Sequence, residues 1–257
     1  MDIQAISMEL LEAERTRVPV EPLTARFPGL TVEEAYRIQL NGIGVKTAQG
    51  RRVIGKKIGL TSKAMQQLLG VNEPDYGHLL DDMLLQPGEP LARSHVLSPK
   101  VEGEIAFVLK EKLQGPGVTF ADVLRATEGL MAAIEVVDSR IRDWKIKLPD
   151  TVADNASAAR VVLGSKMIPA NDLDLRLVGM VLERNGEVVN TGAGAAVWGH
   201  PAAAVAWLAN KLAAFGIALE AGEIILSGAV TGAVDARAND VFTVSFCELG
   251  SVSLKFV

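Results

Sequence analysis

Glu102 and Glu104 are separated by a single glycine in the run Val101-Glu102-Gly103-Glu104-Ile105-Ala106-Phe107-Val108-Leu109. In a strand, residues two apart point to the same face, so the two carboxylates stand side by side while Gly103 faces away. Adjacent carboxylates repel each other, and the Ile, Ala, Phe and Val around them offer no counter-charge. A third acid, Glu135, is alone in the apolar run Ala133-Ile134-Glu135-Val136-Val137, where a buried charge requires a partner. Three carboxylates without Cys or His beside them suit a hard ion, Mg²⁺ or Mn²⁺, rather than Zn²⁺. The plainer readings are a solvated strand edge for the pair and an arginine salt bridge for Glu135. Spacing alone leaves both open.

Three further segments carry groups that could do chemistry. Two glycines bracket a lysine pair in Gly55-Lys56-Lys57-Ile58-Gly59. Neighbours on a strand face opposite ways, so one lysine can point inward, to steady an enolate or move a proton, and the other to solvent. A surface lysine pair is the competing reading. The small polar run Asp150-Thr151-Val152-Ala153-Asp154-Asn155-Ala156-Ser157 follows Pro149 and suits either a substrate loop or an ordinary one. In Gly222 to Gly232 a strand runs into the small-residue loop Ser227-Gly228-Ala229-Val230-Thr231, whose N–H groups could bind an anion or merely form a turn. The histidines His78, His95 and His200 are scattered, and Cys247 has no activating neighbour in sequence. No phosphate-binding loop, dinucleotide fingerprint or nucleophile elbow is present.

The elements that must position these residues are legible from periodicity and caps. Amphipathic spacing predicts a helix over residues 2–16, and Thr31 with Glu34 forms a capping box for a second through about Thr47. Val53 and Ile54 start a strand into the lysine segment, and Ser62 is read as capping a short helix ending near Gly70. From about residue 85 short β-rich runs dominate: 101–110, 132–137, 159–164, 176–183, 187–190, 222–227, 241–247 and 251–257. Asn185-Gly186 joins two of them as a hairpin. Thr119 and Asp122 open a helix expected over 120–131, and Pro201 and Gly216 bracket another over 201–215. This order is not a β-α alternation. It predicts an α+β fold, with a small helix-rich N-terminal part (1–84) and a larger mixed-sheet catalytic domain (85–257).

Composition narrows the function classes. Of 257 residues, 49% are hydrophobic and only 5% aromatic, enough for a large core and suggestive of a homo-oligomer. The net charge of −5 without a basic run argues against nucleic acid. One cysteine excludes an intrachain disulfide and fits a reducing cytoplasm. Neither a secretory leader nor an apolar run of about 18 residues is visible, so no membrane span is expected.

These pieces, in this order, resemble the 2-hydroxypenta-2,4-dienoate (2-oxopent-4-enoate) hydratases of the fumarylacetoacetate hydrolase superfamily, across nearly the whole chain. The resemblance rests on Val53 to Ser62, Glu102 to Leu109, Glu135 to Trp144 and Asp150 to Ser157. It implies a mixed β-roll-like sheet, a metal held by Glu102, Glu104 and Glu135, and a small 2-oxo or 2-hydroxy-dienoic acid as substrate. The family lysine falls on Lys57, its acid on Asp75 in Pro74-Asp75-Tyr76-Gly77, and its serine on Ser157. Lys57 and Asp75 become candidates for proton movement, and Ser157 for orienting water or substrate. Ser227, Gly228 and Thr231 become candidate contacts to the substrate carboxylate.

The 4-oxalocrotonate decarboxylases are similar in the same way and form the rival reading. Gly192 to Pro201 resembles them, as does Arg160, which could pair with a second substrate carboxylate. Asp75 and the run Arg140 to Lys145 resemble the hydratases, whose reaction needs a group to handle the proton of water. A dicarboxylate hydratase, for a 2-oxohept-3-enedioate, would use both residues. The resemblance also raises association with a related pathway hydratase or decarboxylase. A non-catalytic subunit is a further alternative, against which the acid trio and Lys57 are all retained.

Overall fold

The computed structural model describes residues 1–62, 66–67 and 70–257. Of the short helix expected from Ser62 to Gly70, residues 63–65 and 68–69 lie outside the described residues. Three helices open the chain. α1 (Ile3–Thr16) starts where the Asp2 carboxylate accepts the Ala5 N–H, and it buries Ile6, Leu10 and Ala13. α2 (Leu23–Arg26) is one turn. α3 (Val32–Ala48) begins with the reciprocal Thr31–Glu34 capping box that the sequence anticipates.

Two sheets follow. Strands β1 (Val53–Gly59), β2 (Asp75–Leu80), β3 (Leu84–Leu85), β4 (Pro99–Leu109), β5 (Thr127–Asp138), β6 (Ala158–Ile168), β9 (Ile224–Ala229) and β10 (Val234–Asp235) form the larger one. Its order is β2-β1-β9-β4-β5-β6-β3, with β10 added beside β4. The β1–β9 and β3–β6 pairs are parallel and the others antiparallel, so the sheet is mixed. The smaller sheet is antiparallel, in the order β12 (Gly250–Lys255), β11 (Val241–Phe246), β7 (Gly179–Arg184), β8 (Glu187–Ala193). Asn185 and Gly186 both have positive φ and make the expected β7–β8 hairpin. The architecture is α+β, as expected.

Strand alternation decides which face meets what. From β4 and β5, Val101, Ile105, Phe107, Ile134 and Val136 enter the main core with Met180, Phe242 and Val244 of the smaller sheet. The sheets approach closely there: a Cβ on Gly103 would lie 3.0 Å from a Val244 methyl, so glycine is what fits. The opposite face carries Ala106, Ala133, Val161 and Leu226, packed with Ile43 of α3. Glu104 and Glu135 share that second face.

Three helices complete the frame. α4 (Phe120–Ala126) packs on α6 (Pro201–Ala213), which lies against β1 and β9, and α5 (Leu148–Ala153) packs on α2 and α3. The helix expected over 120–131 ends at Ala126. From Thr127 the chain is extended, because Thr127 to Asp138 pairs along the length of β4. Residue 84 falls within β3, and β1 and β2 belong to the larger sheet, so that sheet draws strands from both sides of the expected 84/85 division. Among the described residues no helix is long and apolar enough to cross a membrane.

Candidate active site

The β4–β5 ladder brings the three acids together. Glu102 stands opposite Glu135 and Glu104 opposite Ala133, and one oxygen from each of the three acids lies within 4.8 Å of the others. Glu104 and Glu135 are fully buried, while Glu102 opens to a cleft. Glu104 Oε2 accepts the Gly228 N–H at 2.8 Å. Its Oε1 and both Glu135 oxygens have no hydrogen-bond partner, although Lys57 Nζ is 3.4 Å from Glu135 Oε2. Burial, then the charge of Glu135, pushes Glu102 up to about 7. Burial, then Glu135 and Glu102, holds Glu104 well above the usual carboxylate range, and burial raises Glu135 too. Convergent, under-satisfied carboxylate oxygens are the donor set that a hard divalent cation takes. The trio therefore fits Mg²⁺ or Mn²⁺, and the solvated-edge and arginine salt-bridge alternatives fall away.

Lys57 is the inward lysine, 2% exposed, and Nζ also donates to Ala156 O at 3.0 Å. Burial alone would lower its pKa, but Glu135, Asp75, Glu102 and Glu104 outweigh that and hold it above the ordinary lysine range. Lys56 faces the other way but does not reach solvent: it is buried against Glu223, with Nζ 2.6 Å from both carboxylate oxygens. Asp75 pairs with Gly59 in the β1–β2 ladder and so shares the face of Lys57. Its Oδ2 accepts the Thr151 hydroxyl at 2.6 Å, and its buried Oδ1 has no hydrogen-bond partner. A Cβ on Gly59 would lie 2.2 Å from Asp75 Oδ1 and 3.2 Å from Lys57 Nζ, so both groups border the space that glycine leaves open.

Residues Asn155, Ala156 and Ser157 all have φ near the left-handed region, at 52°, 48° and 56°. Non-glycine residues hold that conformation only when tied down. Asn155 is tied to β2: its Oδ1 accepts the His78 N–H and its Nδ2 donates to the His78 carbonyl. The preceding Asp154 is buried against Arg140. The turn thereby brings the Ala156 carbonyl to Lys57, and Ser157 follows with a buried, unpartnered Oγ.

A cleft of about 300 Å³ opens above Glu102, bordered by Gly59, Leu60, Thr61, Ala196, Val230, Thr231 and Ala233. Thr231 lines it and has an unpartnered Oγ1. Ser227 does not face it: fully buried, it donates to the Ile105 carbonyl. Gly228 contributes its N–H to Glu104, with a φ of 114° and Thr61 Oγ1 where a Cβ would be, so only glycine suits. Arg160 is not brought to the trio. It pairs with Val136, one position from the Glu135–Val161 pair, and so its strand position lies on the opposite face. Sequence reasoning gave no role to Thr151 or Gly59, whose hydroxyl and missing side chain shape the acid–lysine corner. Their presence inside the most specific sequence blocks was the available signal.

Residues 56–257 match the model for the fumarylacetoacetate (FAA) hydrolase C-terminal domain. The chain belongs to the fumarylacetoacetate hydrolase family. It is 52% identical over 217 residues to a 2-hydroxypent-2,4-dienoate hydratase of Pseudomonas putida, covering 84% of this chain and 98% of that one. It is 48% identical over 256 residues to a 2-hydroxyhexa-2,4-dienoate hydratase of Comamonas testosteroni, covering 99% and 97%. Among solved structures, 4-oxalocrotonate decarboxylase from Pseudomonas putida G7, complexed with magnesium and adipate, superposes with a TM-score of 0.97 at 40% identity, covering 99% and 97%.

Proposed function

We propose that this chain is a metal-dependent hydro-lyase that adds water to 2-hydroxypenta-2,4-dienoate, giving 4-hydroxy-2-oxopentanoate. The observation that carries the reading is the buried Asp75–Lys57 corner beside the acid trio. Hydration needs a group that takes a proton from water, and Asp75 has a carboxylate oxygen without a hydrogen-bond partner there. The names of the hydratase relatives support the same reaction class.

Glu102, Glu104 and Glu135 would hold Mg²⁺ or Mn²⁺. When bound, such an ion supplies positive charge that draws electron density from a 2-oxo acid's carboxylate and C2 oxygen. Lys57 holds a further positive charge at the site and steadies the enolate left when the dienol's 2-hydroxyl proton departs; a proton taken up at C5 then gives the α,β-unsaturated 2-oxo acid. Asp75 then removes a proton from water as its oxygen bonds to C4, and the C3–C4 electron pair shifts toward the C2 oxygen. Return of that proton to C3 completes a net addition of one water. Thr231 and the Gly228 turn border the substrate carboxylate, and Ser157 orients water.

The rival decarboxylase reading draws on the 0.97 superposition with an enzyme holding a dicarboxylate, adipate. Arg160, the sequence argument for a second carboxylate, faces away from the trio. Among the described residues bordering the cleft, none is cationic, and Leu60, Ala196, Val230 and Ala233 offer an apolar wall. That wall suits a vinyl end rather than a carboxylate. The single cysteine fits a reducing cytoplasm, and exposed Leu177, Val188 and Met167 fit a homo-oligomer.

The test supplies Mg²⁺-loaded protein with 2-hydroxypenta-2,4-dienoate and with 4-oxalocrotonate separately, beside a chelated control. Metal-dependent loss of the first dienol without CO₂ release, with 4-hydroxy-2-oxopentanoate as product, is expected. Rapid CO₂ release from the second, with no hydration of the first, would establish the decarboxylase instead.

A further inference from the structure

We infer that Thr151 is a positioning residue that selects which oxygen of Asp75 handles the proton; this rests on the hydratase reading above. The Thr151 hydroxyl donates to Asp75 Oδ2 at 2.6 Å, and both residues are buried. A hydroxyl has one proton to give, and Oδ2 must stay an acceptor to receive it. With the hydroxyl so oriented, a proton that Asp75 takes up is directed to Oδ1. That is the oxygen without a hydrogen-bond partner, facing the space over Gly59 that it shares with Lys57 Nζ.

Thr151 is built to be immobile. Asp150 before it binds α2, accepting both the N–H and the hydroxyl of Thr24. The Val152 carbonyl after it accepts the Gln39 side chain from α3 at 2.6 Å. The same Gln39 amide nitrogen bonds to the Tyr76 carbonyl, next to Asp75. Donor and acceptor are thus anchored through one side chain of α3, and the N-terminal helices set the carboxylate's orientation.

In the reaction, water's oxygen bonds to C4 as Oδ1 takes one of its protons, and Oδ1 returns that proton to C3. With valine at 151 the isosteric side chain keeps the packing but leaves Oδ2 without its donor, so the proton can settle on either oxygen.

The experiment compares Thr151→Val, Thr151→Ser, Asp75→Asn and the Asp75→Asn/Thr151→Val double variant, Mg²⁺-loaded, with 2-hydroxypenta-2,4-dienoate. Thr151→Val is expected to lower kcat about 10–100-fold with KM within about threefold, and Thr151→Ser to restore kcat to within about threefold of the parent. The double variant is expected to match the residual rate of Asp75→Asn, because Thr151 acts only through Asp75. Parental kcat in Thr151→Val overturns the inference, as does an equal loss in Thr151→Ser or a loss carried by KM. If Thr151→Val does not fold, Thr151→Ser alone decides, with loss of more than about tenfold counting against the inference. Full activity in Asp75→Asn overturns the hydration scheme itself, which separates that failure from failure of the Thr151 assignment.

Discussion

Glu102 and Glu135 occupy directly opposed positions of the β4–β5 ladder, with their carboxylates on one face of the sheet. Like charges so placed destabilise a ladder by a fraction of a kcal/mol when exposed, and by more when buried. Without a cation the protein carries this repulsion. Glu102→Gln is therefore expected to raise metal-free stability by on the order of 1 kcal/mol. The same change is expected to weaken Mg²⁺ binding at least about tenfold, with Glu104→Gln doing likewise and abolishing turnover. Thermal unfolding with and without Mg²⁺ measures both effects. An Mg²⁺-induced stabilisation of Glu102→Gln as large as the parent's, or full activity of Glu104→Gln after thorough chelation, would refute the metal scheme.

Metal affinity should depend on pH with a defined sign. Burial, then the charge of Glu135, pushes Glu102 up to about 7. Below that value a proton occupies the site and must leave when the metal binds. Affinity for Mg²⁺ is expected to fall by up to about tenfold per pH unit below pH 7. Calorimetric titrations in two buffers of different ionisation enthalpy would reveal the released proton. A carboxyl whose folded pKa is raised contributes stability below its unfolded pKa, and loses it as pH rises through the folded one. Metal-free protein should thus lose stability between about pH 4.5 and 7, a loss that Mg²⁺ cancels.

Much of this site is legible in the sequence, because its logic is local. The i, i+2 spacing of Glu102 and Glu104 puts both on one strand face wherever that strand lies. That Glu135 joins them required the β4–β5 register, a long-range pairing that no local pattern specifies. Resemblance to a family supplied it. Arg160 shows the limit: a difference of one register position sends it to the other face, and spacing from Ser157 carries no such information. The helix expected through residue 131 failed for a similar reason. The capping box at Thr119 is real, but pairing with β4 converts Thr127 onward to strand. Lys56 was misjudged because its partner, Glu223, is distant in sequence.

His78 should govern stability in acid. It is buried against Gln39 and stacked near Tyr36. Burial, then the charge of Lys56, lowers its pKa to about 3 from an ordinary 6.5. A folded pKa below the unfolded one means stability present above pH 6.5 and lost as pH falls toward 3. The full window corresponds to roughly 3–5 kcal/mol. His78→Gln, in Mg²⁺-loaded protein, is expected to flatten the decline between pH 6.5 and 4 in urea unfolding. An unchanged decline would mean that other groups drive acid unfolding.

The apolar wall of the cleft should set substrate length. Ala196 is exposed and borders the cleft, so a larger side chain there is tolerated by the fold. Ala196→Leu is expected to lower kcat/KM for 2-hydroxyhexa-2,4-dienoate about 10–100-fold, and that for the pentadienoate by less than about threefold. Steady-state kinetics on the two dienols measures this. Equal losses would place the growing end of the substrate elsewhere.

Arg160 should be dispensable for chemistry. Its partner in the ladder is Val136, which faces the main core, whereas Val161, the partner of Glu135, lies on the trio's face. Its guanidinium donates to its own neighbour's carbonyl, Ala159 O. Arg160→Ala is therefore expected to leave kcat and KM for 2-hydroxypenta-2,4-dienoate within about twofold of the parent. A dicarboxylate tested alongside should also show no difference between Arg160→Ala and the parent. A selective rise in KM for the dicarboxylate, with the monocarboxylate untouched, would instead make Arg160 the site of a second carboxylate and favour the decarboxylase reading.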